Sequence, residues 1–125
     1  MVAMKSQRGQ ALVETAVALL VLILVLGGII EFGRIFHTKL LLTQAAREGV
    51  RVGVVGGNDR EIRQAVKKMA PQVSDRDIDI KPPSNQRTRG GDLTVTVRRK
   101  VDLAFPLPGL PNPYPVEAKA VMRVE

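Results

Sequence analysis

Residues 9–30, GQALVETAVALLVLILVLGGII, carry a single ionisable side chain, Glu14, and decide how the rest of the chain is organised. The sixteen uncharged residues that follow Glu14, 15–30, span about 24 Å as a helix, short of the roughly 30 Å hydrocarbon core of a bilayer. A full crossing therefore recruits Ala11, Leu12 and Val13 on one side or Phe32 on the other. That recruitment places Glu14 inside the membrane or at its edge, where a carboxylate costs a few kcal/mol unless it finds a partner or stays interfacial. Lys5 and Arg8 precede the run as they would in a secretory signal, but the run exceeds the usual length of such a segment and no A-x-A-like cleavage site follows it. Flanking charge does not set the orientation, since Lys5 and Arg8 are answered by Arg34, Lys39, Arg47 and Arg51. A short tail before the one span favours a cytoplasmic N-terminus and an exported remainder.

The whole chain has 125 residues, enough for one modest domain and too few for a large two-domain enzyme. A mean hydropathy of +0.04 conceals the concentration of apolar residues at one end. With no Cys, the chain has neither a disulfide framework nor a Cys-based zinc site, and redox compartment is left open.

The approach to the apolar run has its own pattern: a basic tail, Gly9, then Gln10-Ala11-Leu12-Val13-Glu14, with the carboxylate five positions beyond the glycine. This resembles a type IV prepilin leader. The resemblance implies cleavage between Gly9 and Gln10 by a prepilin peptidase, leaving Glu14 as the fifth mature residue. The residues suit that chemistry, because Gly9 has no side chain to obstruct a peptidase and the new amine on Gln10 can neutralise a carboxylate buried nearby. Together with Ile30-Glu31-Phe32-Gly33-Arg34 and Leu42-Thr43-Gln44-Ala45-Ala46-Arg47-Glu48-Gly49-Val50-Arg51, the leader resembles the TadE-like family of pseudopilins of the tight-adherence (Flp-type) pilus machinery. The likeness is dense over residues 8–57 and diffuse beyond. Thr15 replaces the aromatic residue that follows the glutamate in major Flp pilins, and the proline that many relatives carry within the apolar run is missing around Leu19 and Leu20. What the resemblance implies is a non-catalytic assembly component without a cofactor. Its expected partners are the peptidase, other pilin-like subunits that Glu14 would recognise, platform proteins and the cytoplasmic membrane.

Beyond the membrane, Ile35, Phe36, Leu40, Leu42 and Ala46 recur at helical steps, which predicts one helix of about forty residues ending at Gly56-Gly57. Gly49 and Gly53 share a face suited to close packing, either against the chain's own sheet or against a partner helix. Asn58 with Glu61 predicts the cap of a second helix, with Ile62, Ala65, Val66 and Met69 as its apolar stripe and Pro71 as its stop. Alternation at Ile78 and Ile80, at Leu93, Val95, Val97, Val101, Leu103 and Phe105, and at Val116, Ala118, Ala120, Met122 and Val124 predicts a three-stranded antiparallel sheet. Residues 81–91 read as a flexible connection and 106–115 as a proline-rich loop. The expected fold class is α+β: a long pilin-like transmembrane helix, a short helix and a small sheet. Its parts are a leader 1–9, a membrane segment 10–33, a helix extension 34–57 and an extracytoplasmic domain 58–125.

Other chemistries find little support. Asp75, Asp77 and Asp79 alternate as a calcium loop begins, but Ile80 stands where Gly is needed and Gln86 where a bidentate Glu is needed, so strand alternation places all three carboxylates on a wet face. His37 is the one histidine, so no His cluster or Ser–His–Asp triad can be assembled. The glycines from Gly49 to Gly57 lack the Gly-Lys-Ser/Thr of a phosphate loop. The net charge of +7 raises nucleic-acid binding through Arg98-Arg99-Lys100 and Arg87-Thr88-Arg89. With four aromatics, two of them beside the membrane, there is almost no stacking platform, and a solvated basic face near anionic headgroups is the simpler account. An uncleaved single-pass anchor carrying a small binding domain stands as the alternative function.

Overall fold

No proline precedes Pro71, and the first helix uses that freedom fully. The computed structural model describes residues 2–105 and 107–125, with side chains from residue 4 onward. Its elements are α1 (Val2–Val54), α2 (Asp59–Met69), β1 (Ile78–Lys81), β2 (Asp92–Val101) and β3 (Tyr114–Arg123), an α+β arrangement. At 53 residues, about 80 Å, α1 is longer than the forty expected, because the residues ahead of the uncharged run, 2–14, continue the same helix. It ends in a Schellman motif: the Gly57 amide donates to the Val52 carbonyl (3.0 Å) and the Gly56 amide to that of Gly53 (3.3 Å). The left-handed φ of 102° at Gly56 makes this turn, which a side chain would strain. Asn58 then caps α2 by accepting from the Glu61 amide at 2.9 Å.

The sheet is antiparallel in the order β1-β2-β3. Register aligns Ile78, Val97 and Ala118 in one row and Ile80, Val95 and Ala120 in the next, so one face is apolar throughout. That face packs on α1 and α2, with Leu42, Ala45, Ala46, Val50, Ile62 and Val66 meeting Leu93, Val95 and Val97 in the core. Gly49 and Gly53 sit where α1 crosses α2 and the sheet. A methyl built on Gly49 would stand 2.6 Å from Val66 Cγ2, and one on Gly53 would overlap Leu93 Cδ2 and lie 2.8 Å from Ile62 Cδ1. On the outer strand, the Glu117 carbonyl of β3 accepts from Lys39 Nζ of α1.

Three local expectations are corrected. Strand alternation through Leu103 and Phe105 does not continue as strand: β2 stops at Val101, and the Ala104 and Phe105 amides turn to a side chain of α1 instead of a neighbouring strand. Asp75 and Asp77 lie in a 3-10 turn ahead of β1, so the three carboxylates do not line one strand face. Asp77 accepts from the Ser74 amide and hydroxyl, while Lys67 stands 2.5 Å from Asp75 and holds its carboxyl below the usual carboxylate range. The segment 81–91 is pinned: the Arg87 side chain, 8% exposed, donates to the carbonyls of Gly57 and Pro82 and pairs with Asp59.

Overpacking at the α1–α2 crossing is the test of this core. Gly49→Ala gains about 1 kcal/mol of helix propensity but should lose about 1–3 kcal/mol against stiff Val66 and Ile62. Gly33→Ala, with open space around it, should be neutral or stabilising. Thermal unfolding of the full chain in detergent, followed by circular dichroism, checks the ranking. Equal midpoints for the two variants would mean that the crossing is not tight.

Candidate functional site

The two halves of α1 have different surroundings. Residues 4–26 are exposed on every side, including Leu12 at 72% and Val13 at 65%, whereas from Gly27 onward a stripe of Gly27, Glu31, Thr38, Leu42, Ala45 and Gly49 is buried. Large apolar side chains without cover are the wrong surface for water. The helix is long and apolar enough to cross a membrane. The 23 residues of the uncovered half measure about 34 Å, somewhat more than a bilayer core.

Gly9, Gln10 and Glu14 all lie on that uncovered half, within one helix and with open space around Gly9. Gly49 and Gly53 belong to the covered half, about 50 Å along the axis from Glu14, so the chain does not bring the two groups together.

The residue that joins the halves is Glu31, whose side chain is wholly buried. Its Oε1 accepts from the amides of Ala104 (3.0 Å) and Phe105 (3.2 Å), and Oε2 lies 3.1 Å from Arg34 Nη1 one turn along α1. Two backbone donors and a guanidinium thus satisfy a carboxylate that burial would otherwise penalise heavily. Four residues below, the Phe105 ring lies on Gly27, where a built methyl would come 3.0 Å from Phe105 Cγ. In the sequence Glu31 stands out only as part of the Ile30-Glu31-Phe32-Gly33-Arg34 motif. The signal that could have marked it is a lone carboxylate closing the apolar run with an arginine three residues later.

Charged groups elsewhere are largely engaged in structure. Arg98 pairs with Glu117 at 3.0 Å, Arg99 donates to Gln72, and Arg51 lies 2.6 Å from Glu48 and lowers its carboxyl pKa. His37 is exposed in a shallow groove with Arg34, Arg99 and Lys100. Among the described residues no group of His, Asp or Glu could hold a metal ion.

Residues 9–51 match the TadE-like protein family. The matched segment begins at Gly9, contains Glu14, Glu31 and Gly49, and ends within α1, so α2 and the sheet lie outside it. No curated protein and no solved structure matches the chain. The TadE-like segment is thus the helix itself, from the glycine of the leader pattern to the α2 crossing.

Glu31→Ala would leave the Ala104 and Phe105 amides without their acceptor, at a cost of about 1–3 kcal/mol, whereas Glu31→Gln keeps an acceptor oxygen and should cost less. Hydrogen exchange at these two amides should accelerate strongly in the alanine variant and modestly in the glutamine variant. Unchanged exchange in Glu31→Ala would show that the carboxylate does not hold this segment.

Proposed function

We propose that the chain is a pseudopilin: a non-catalytic assembly component of a tight-adherence type IV pilus or related secretion system, cut by a prepilin peptidase between Gly9 and Gln10. The observation that carries this reading is the uncovered apolar half of α1 with Glu14 as its one charge beyond Gly9, in a segment matching the TadE-like family. In this reading the helix crosses the cytoplasmic membrane once, with the leader in the cytoplasm and the α2–sheet domain outside. Glu14 sits about 6 Å from the new Gln10 amine along the axis, deep enough to need a cation and near enough to the helix end for a neighbouring subunit's amine to supply one.

The mature chain should begin at Gln10, and loss of Lys5 and Arg8 takes the net charge from +7 to +5. Mass spectrometry of the protein from cells containing the peptidase checks this, and a bulky residue at position 9 should retain the precursor. Recovery of the intact precursor alone would favour the uncleaved anchor.

Glu14→Ala should leave cleavage and membrane retention intact while cross-linking to other pilin-like subunits falls sharply, since breaking a buried ion pair costs about 3–5 kcal/mol. Normal cross-linking and normal pilus output in this variant would return Glu14 to an interfacial residue without a special partner.

A further inference from the structure

Residues 103–116, LAFPLPGLPNPYPV, form the second uncharged stretch of the chain, and Glu31 and Gly27 hold its beginning against the helix where the first stretch ends. We infer that this loop is a foot that rests in the lipid interface beside α1, with Phe105, Leu107 and Leu110 toward the acyl boundary. The inference rests on the membrane-spanning reading of α1 proposed above.

Depth is the first argument. Gly27 and Glu31 are four residues apart, about 6 Å along the axis, and the interfacial layer on each side of a bilayer core is about 5–7 Å thick. The contacts of the loop with α1 therefore cover the height of one interfacial layer. Below Gly27, residues 10–26 measure about 26 Å, within about 4 Å of the hydrocarbon thickness.

The second argument is the backbone. An irregular segment near lipid is costly because each amide lacking a partner loses its water. Between 103 and 113 four residues are proline and have no N–H at all. Four more amides are satisfied within the chain: Leu103 donates to Asn112 Oδ1, Ala104 and Phe105 to Glu31, and Leu110 to the Leu107 carbonyl. Most of the loop's donor demand is thus removed, and the carbonyls that remain can accept from water at headgroup depth.

Composition at the two heights agrees. Phe105 is 42% exposed and Leu107 and Leu110 are half-buried, so the loop presents a partly covered apolar surface. Directly above it, the groove between α1 and the end of β2 is lined by Arg34, His37, Arg99 and Lys100 together with Asp102. A net cationic rim over an apolar tip suits headgroup phosphates over acyl chains.

The chain has no tryptophan, so single substitutions report position unambiguously. F105W and L110W proteins, reconstituted in phosphatidylcholine–phosphatidylglycerol vesicles, should lose at least about half their emission to lipids brominated at shallow acyl positions, as interfacial aromatic residues do. They should also resist aqueous acrylamide. L20W, within the span, should be quenched by deeply brominated lipid, and V121W, on the far part of the sheet, by acrylamide alone. If F105W and L110W are quenched by acrylamide as V121W is while L20W responds to lipid, α1 spans but the loop is not a foot. If L20W does not respond to brominated lipid, the membrane-spanning reading fails and the foot with it. L110W keeps the test valid should a larger ring at 105 disturb the contact with Gly27.

Discussion

A carboxylate withdrawn completely from water must be matched by donors on its own molecule, and in this protein that requirement is met at one point, Glu31. Its oxygens take two amides from the segment after β2 and a guanidinium from the next turn of α1. Together with the Phe105 ring on Gly27, that acceptor sets the height of the 102–105 segment on the helix. The bond is local in sequence on one side, Arg34, and remote on the other, more than seventy residues away. It therefore fixes the sheet domain relative to the apolar half of α1 as well as stabilising a loop.

Packing then divides the labour along α1. Small residues at Ala45, Ala46, Gly49 and Gly53 let α2 and the sheet approach the helix axis, so that a three-stranded sheet and eleven residues of α2 make a closed core. The opposite end of the helix has no such cover, and its Leu, Val and Ile side chains remain available to lipid or to neighbouring helices. One helix thus carries two kinds of surface, and the change occurs between Leu26 and Gly27.

Much of this was legible in the sequence because it depended on periodicity and punctuation. The apolar run, the stop at Gly56-Gly57, the cap at Asn58 and the alternation of β1, β2 and β3 are local signals, each readable within a few residues. What was not legible depended on contacts between distant parts. The alternation at Leu103 and Phe105 continues the strand period perfectly well, but the prolines that follow and face it cannot donate to a ladder, and the Phe105 amide goes to the remote carboxylate of Glu31. Arg87 looked like part of a solvated basic run in a flexible loop until the carbonyls of Gly57 and Pro82 and the carboxylate of Asp59 surrounded it. In the candidate site, Gly9, Gln10 and Glu14 stood out through spacing, while Glu31 carried no pattern that distinguished a buried anchor from the charged end of an apolar helix.

The reach of Lys39 to the Glu117 carbonyl bears on how copies of this chain can meet. β3 is one of the two edge strands, and an edge strand offers unpaired carbonyls and amides as a template for a strand from another molecule. Here the end of that template nearest the apolar helix is spoiled twice: Pro115 has no amide to offer, and the Glu117 carbonyl is already occupied by an ammonium from α1. Edge-to-edge pairing through β3 is thereby discouraged at its end nearest the apolar helix. Contact between copies through the uncovered apolar half of α1 would then rest on side-chain packing and not on strand pairing at this end of β3.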